Sequence, residues 1–266
     1  MPDDSLSKLG IALETHDLTV AYDKKPVLYG IDVRIEPGQL VGIMGPNGAG
    51  KSTLIKAIMG LLKPASGWIQ IFGESNISQR NRIAYVPQRR EVDWDFPVTV
   101  MDVVLMGRYG HLGLFKRPGK KDLQIALDSL EKVNMIPFAD RQISNLSGGQ
   151  QQRVFLARAL AQQSDLYLMD EPFVGVDAAT ESTIIDLLQE LRSEGKTLLV
   201  VHHDLPTARH YFDSLLLLNM RLVAYGPVKD IFQEELLQRT YGGRLTILSE
   251  VADAVGIKAK VDHPSP

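Results

Sequence analysis

One stretch constrains this chain more than any other. Gly45-Pro46-Asn47-Gly48-Ala49-Gly50-Lys51-Ser52-Thr53 fits G-x-x-x-x-G-K-[ST] at every defined position. The apolar run Leu40-Val41-Gly42-Ile43-Met44 precedes it and a helix-like stretch over 54–62 follows, so the loop joins a buried strand to a helix. Glycines let the backbone wrap closely around an anion, with successive N–H groups turned inward. The following helix adds the positive end of its dipole and unpaired N–H groups. In this arrangement Lys51 reaches the β- and γ-phosphates of a nucleotide and Ser52 ligates Mg²⁺.

The remaining pattern indicates two kinds of sheet. Ile31-Asp32-Val33-Arg34-Ile35-Glu36 alternates apolar and polar before a Pro37-Gly38 turn, and Trp68-Ile69-Gln70-Ile71-Phe72-Gly73 forms a second such strand. Half-buried alternation suits an antiparallel sheet with one wet face, whereas the short apolar runs at 40–44, 166–169, 198–201 and 215–218 suit parallel strands covered on both faces. Leu123, Leu127, Leu130 and Val133 mark one intervening helix; Ile184, Leu187 and Leu191 mark another, stopped by Gly195. Strands alternating with helices predict an α/β core. Residues 89–160 carry no parallel-strand signal and read as a mostly helical insert, with loops around 107–121.

Composition narrows the function. At 266 residues, with 44% hydrophobic and 23% charged residues, the chain buries a substantial core and is neither disordered, collagenous nor a coiled-coil rod. Lys+Arg 29 against Asp+Glu 32 gives a net charge of -3, which argues against a nucleic-acid partner. Without cysteine there is no disulfide, thiolate metal site or thiol nucleophile. No apolar run approaches the roughly 20 residues of a membrane span, and residues 1–10 lack the apolar segment of a secretory signal. A cytosolic chain, or one docked on a membrane through another protein, is expected.

Two further motifs carry chemistry. Leu166-Tyr167-Leu168-Met169 ends in Asp170-Glu171, at the carboxyl end of a buried strand where ligands of parallel sheets bind. Asp170 there supports the Mg²⁺ shell, and Glu171 stands where a general base would position water. Alone, such a carboxylate pair would pass for a solvated strand end; with the loop it gains meaning. Leu146-Ser147-Gly148-Gly149-Gln150 then opens a helix-like stretch through Leu160, a second anion-seeking shape that standing alone would read equally as an unliganded helix start. With two such elements but one loop lysine, a single chain leaves one element idle. A head-to-tail pair uses both twice, each nucleotide lying between one chain's Lys51 and the other's Ser147.

These motifs, in this order, resemble the ATP-binding-cassette (ABC) transporter ATPases from about residue 13 to 243. The resemblance implies a P-loop NTPase (RecA-like) core with an N-terminal antiparallel β subdomain and an inserted helical subdomain. It implies an ABC nucleotide-binding domain over 1–246 and a short tail over 247–266. It implies ATP hydrolysis with ATP and Mg²⁺. By the same resemblance, Tyr22 stacks on adenine (or is a core strand aromatic), and Gln88 joins Ser52 and Asp170 around Mg²⁺ and the attacking water. Asp177 crosses the dimer interface (or is a plain helix N-cap), and His203 contacts the γ-phosphate. His202, His203, Asp204 and His210 do not suggest a metal cluster, because adjacent strand side chains point to opposite faces.

Residues 87–100 and 102–108, Val201-His202-His203-Asp204-Leu205 and Thr240-Tyr241-Gly242-Gly243 resemble the manganese/zinc/iron branch of bacterial metal importers. The resemblance implies membrane permease subunits as partners and a periplasmic or lipoprotein metal-binding protein reached indirectly. It places the chain peripherally on the cytoplasmic face of the inner membrane. Manganese is the expected cargo, then zinc, then iron. Trp94, Phe96 and Tyr109 either form an aromatic docking groove or pack inside the insert. The alternatives are a non-transport ABC ATPase, an importer of a metal chelate, a P-loop kinase, and a nucleotide-binding regulator without turnover.

Overall fold

Period-two alternation within four short apolar strands builds the centre of the molecule. The computed structural model describes residues 10–23, 25–94, 96–112 and 116–242; the tail expected over 247–266, and Gly243, lie outside them. The chain opens with the antiparallel strands β1 (Leu13–Tyr22) and β2 (Lys25–Ile35). β3 (Leu40–Met44) then runs into the glycine-rich loop and helix α1 (Lys51–Ile58). β4 (Ser66–Ile71) and β5 (Glu74–Ser75) return to the first sheet, giving the antiparallel order β2-β1-β4-β5. After β6 (Ile83–Val86) come the helices α2 (Val100–Met106), α3 (Tyr109–Leu112), α4 (Lys120–Lys132) and α5 (Gly148–Ala161). The second half alternates: β7 (Leu166–Asp170), α6 (Ala178–Ser193), β8 (Thr197–Val201), α7 (Leu205–Tyr211) and β9 (Ser214–Asn219). It closes with β10 (Arg221–Pro227), α8 (Val228–Ile231) and α9 (Glu234–Tyr241).

The second sheet has the order β10-β9-β3-β8-β7-β6, parallel throughout except for the antiparallel β9–β10 pair. Each central strand feeds two cores. Leu198, Val200, Leu215, Leu217 and Met169 face the core shared with α2, α4, α5 and α6. Leu199, Val201, Leu216, Leu218 and Leu168 face the core shared with α1 and the antiparallel sheet. Burial on both faces is why these strands are continuous apolar runs. Between β6 and β7 the regular elements among the described residues are helices, apart from an isolated bridge between Thr99 and Gln142.

The structure amends several local expectations. The helix expected over 54–62 starts at Lys51 and stops at Ile58, because Gly60 takes φ +71°; Leu61 is left 61% exposed. β2 begins six residues before Ile31, and β4 ends at Ile71, where Phe72 and Gly73 both enter the left-handed region. Strands β1, β6 and β10 carry weaker sequence signals. β1 is bulged around Asp17 (φ +45°), β6 has only four residues, and β10 follows a left-handed turn at Met220. Helix α4 buries Leu130, and Val133 just after it, as expected, but Leu123 is exposed and the buried face widens to Asp122, Ala126 and Ser129. A buried ion pair accounts for Asp122, Arg108 Nε donating to Asp122 Oδ1 at 3.0 Å and Nη1 to the Ala161 carbonyl at 2.7 Å.

Candidate functional site

The glycine-rich loop leaves β3 and turns back on itself, the Ala49 N–H donating to the Pro46 carbonyl at 3.1 Å. Two glycines are required by space. A Cβ on Gly45 would lie 2.0 Å from the Leu218 carbonyl oxygen. Gly50 has φ +94°, and its Cβ would lie 2.4 Å from Leu28 Cδ2. The turn delivers α1 with its first N–H groups facing a cleft of about 250 Å³, lined by Val27, Asn47, Gly48, Ala49, Gly50, Lys51, Ser52, Thr53 and Glu171. Lys51 Nζ lies back across the loop, donating to the carbonyls of Gly45 (2.7 Å) and Pro46 (3.0 Å). Burial pushes the Lys51 ammonium below its ordinary pKa, opposed by the nearby Glu171 and Asp170 carboxylates.

Asp170 ends β7 only 1% exposed, and among the described residues no hydrogen bond of normal geometry reaches either carboxylate oxygen. Burial raises its pKa; the adjacent Ser52 side chain pulls the other way without prevailing. A buried carboxylate without a donor, beside a hydroxyl on the phosphate loop, is an oxygen-rich pair suited to a hard divalent cation. The next residue, Glu171, takes φ +53°, a conformation that costs an ordinary side chain about 1–3 kcal/mol. This turn swings its carboxylate out of the strand and into the cleft lining. Gln88, immediately beyond β6, donates its Nε2–H to Glu171 Oε2.

The other expected site residues lie elsewhere. Ser147 caps α5, its Oγ accepting from the Gln150 N–H at 3.3 Å while Gln150 Oε1 accepts from the Ser147 N–H at 2.9 Å. Gly148 abuts the Arg89 guanidinium and Gly149 abuts Thr180. None of Ser147, Gly148, Gly149 or Gln150 lines the cleft of its own chain. Asp177 caps α6, accepting from the Thr180 N–H at 2.7 Å. Tyr22 stands 43% exposed at the end of β1, so it is not a core aromatic.

His203 is exposed, while His202 is buried among aromatic rings. The expectation that both sit on a strand with opposed side chains is corrected: β8 ends at Val201, and their ring centroids are 5.9 Å apart.

Trp94 packs inside the insert and also lines a groove. It packs edge-on against Phe155 (centroids 5.0 Å), and with Phe96, Val98, Met106 and Phe155 it lines an apolar groove of about 290 Å³. Phe96 is 58% exposed there, whereas Tyr109 is exposed outside the lining.

Sequence reasoning missed Val27, which reaches the cleft from the antiparallel sheet. It also missed Arg89, whose guanidinium donates to Gln151 Oε1 at 3.0 and 3.3 Å and so ties the segment after Gln88 to α5. Neither residue carries a local signal; both act on groups distant in the chain.

A glycine-wrapped helix N-terminus with an inward lysine and two strand-end carboxylates defines a P-loop nucleoside-triphosphate site. The ABC transporter family profile matches residues 28–174, and the chain belongs to that family. Over 246 residues it is 61% identical to the manganese transport system ATP-binding protein MntB of Bacillus subtilis (strain 168), covering 92% of this chain and 98% of that one. Over 241 residues it is 61% identical to the zinc transport system ATP-binding protein TroB of Treponema pallidum (strain Nichols), covering 91% of each. Among solved structures, an ATP-binding subunit of an ABC transporter superposes with TM-score 0.74 at 28% identity, over 92% of this chain and 99% of that one. The fold is the α/β P-loop architecture expected, and the protein is an ATP-binding, ATP-hydrolysing subunit. Among the described residues no helix is long and apolar enough to cross a membrane.

Proposed function

We propose that this chain energises import of a divalent transition metal, manganese before zinc and zinc before iron, through a membrane permease. The supporting observation is the 61% identity over nearly the whole length of a manganese transport ATP-binding protein, with zinc named for a relative of equal identity. The chain works as a head-to-tail homodimer on the cytoplasmic face of the inner membrane, fed indirectly by a metal-binding protein outside. Its nucleotide-binding domain spans 1–246 with a helical insert at about 89–160. The apolar groove at Trp94 and Phe96 receives the permease.

Each residue then has a task. Lys51, held by two loop carbonyls, exchanges them for phosphate oxygens, and the first N–H groups of α1 complete the cradle. Ser52, Asp170 and Gln88 would hold Mg²⁺, which when bound supplies positive charge beside the phosphates. Glu171 accepts a hydrogen bond from the attacking water, and Gln88 orients that carboxylate. His203 contacts the γ-phosphate, and Tyr22 stacks on adenine. Because Ser147 and Gly148 lie outside their own chain's cleft, they face the nucleotide of the opposing chain, and Asp177 crosses the interface. ATP bridges the two chains and hydrolysis releases them, so nucleotide drives a two-state motion of the permease.

The test is total manganese, zinc and iron in source cells with and without this chain, grown at limiting metal. Loss of manganese is expected. Loss of zinc or iron alone corrects the cargo; no change in any metal, with redundant importers removed, overturns the importer reading.

A further inference from the structure

His202 is an unexpected residue to find in a core. It is 2% exposed, and Phe173, Tyr211 and Phe212 surround its ring with centroids 5.3 to 5.9 Å away. Among the described residues its Nδ1 has no hydrogen-bond partner. A leucine or phenylalanine would fill this space without burying an unpaired nitrogen.

The other nitrogen supplies the reason. Nε2 lies 2.8 Å from Thr207 Oγ1. The Thr207 hydroxyl spends its one proton on Asp204 Oδ2 at 2.6 Å, so its oxygen accepts and Nε2 must carry hydrogen. Burial holds the ring neutral by lowering its pKa to about 4, which agrees with a single Nε2–H at neutral pH. The relay His202 Nε2–H to Thr207 Oγ1–H to Asp204 Oδ2 closes a ring around the turn at residues 202–207. The His202 backbone N–H donates to the Ile43 carbonyl at 3.0 Å, fastening this turn to the strand that feeds the phosphate loop. Phe173, edge-on to the imidazole at 85°, lies two residues beyond Glu171.

We infer that His202 is a positioning residue: through Thr207 and Asp204 it fixes the turn that presents His203 to the nucleotide, and through Phe173 it couples that turn to the segment following Glu171. The inference rests on the roles given above to His203 and Glu171. His202 touches no reacting atom; it sets where its neighbour stands.

The test measures Mg·ATP turnover by the purified full-length chain. His202→Phe keeps the ring and loses the donor; Thr207→Val keeps the shape and loses the hydroxyl; His202→Gln restores an N–H donor. Displacing a catalytic contact by a fraction of an ångström should lower kcat about tenfold in His202→Phe and Thr207→Val, with KM for ATP within about twofold. The double variant should be no slower than the worse single variant, because both break one relay. His202→Gln should recover most of the lost kcat. Parental kcat in either His202→Phe or Thr207→Val overturns the inference. So does multiplication of the two losses, or a His202→Gln variant as slow as His202→Phe, which would mark mere packing. Should His202→Phe not fold, Thr207→Val carries the same test. His203→Ala is the control: full turnover there removes the underlying site reading, whereas lost turnover there with normal turnover in His202→Phe removes this inference alone.

Discussion

Asp170 makes an unusual prediction: replacing it by asparagine should stabilise the empty protein while disabling it. Both carboxylate oxygens are buried, and among the described residues no donor reaches either with normal hydrogen-bond geometry. Leaving such a group unpaired costs about 1–3 kcal/mol, more for a charge, and the nearby Lys51 ammonium offsets part of this. The isosteric amide removes the charge without opening a cavity. In EDTA, Asp170→Asn should therefore unfold at higher temperature by about 2–12 °C, from about 2–4 °C per kcal/mol for a domain of this size. Ligand reverses the order. At a hundred times its Kd, Mg·ATP should stabilise the parent by about 2.7 kcal/mol, while the variant gains only what metal-free nucleotide gives.

The sign of the pH dependence follows from the raised pKa. The penalty is present above the folded-state pKa and relieved as pH falls through it, so the gap between variant and parent should narrow on acidification. Differential scanning fluorimetry in EDTA and in Mg·ATP, over several pH values, reads all three effects. An Asp170→Asn variant less stable than the parent in EDTA, or as strongly stabilised by Mg·ATP, refutes the assignment of Asp170 as an unpartnered cation ligand.

Three other substitutions probe separate parts of the site. Lys51→Ala removes a charge-assisted phosphate contact worth about 1.5–3 kcal/mol, so ATP affinity by calorimetry should fall about tenfold to a hundredfold; normal affinity would contradict the phosphate-loop assignment. Glu171→Gln should reduce turnover by about 10²–10⁴ and, with ATP, shift the chain to a dimer on size-exclusion chromatography; a variant monomeric at high protein and ATP counts against the two-chain site. Phe96→Asp alters a 58% exposed side chain, so stability should move by no more than about 0.5 kcal/mol while permease capture in pull-down is lost; retained capture would clear the groove of that role.

Much of the site was legible because its chemistry is contiguous. Residues 45–53 carry the anion-binding turn, the lysine and the hydroxyl in one stretch, and β7 delivers Asp170 and Glu171 side by side. The central strands could be read because burial on both faces forces unbroken apolar runs. Other elements needed contacts that no window contains. Leu123 continues the apolar pattern of α4, yet α4 buries Asp122, which pairs with an arginine fourteen residues earlier. Arg89 reads as one charge in a polar loop until Gln151, 62 residues on, accepts from it.

The sequence by itself determined the nucleotide chemistry and the two kinds of strand, since backbone conformation, charge and hydrophobic period are properties of neighbouring residues. Tertiary structure alone decided which carboxylate is left without a donor, which of two adjacent histidines is buried, and that Ser147 stands outside its own chain's cleft. Desolvation and hydrogen-bond satisfaction depend on everything packed around a group, and that surrounding exists only once distant segments have met.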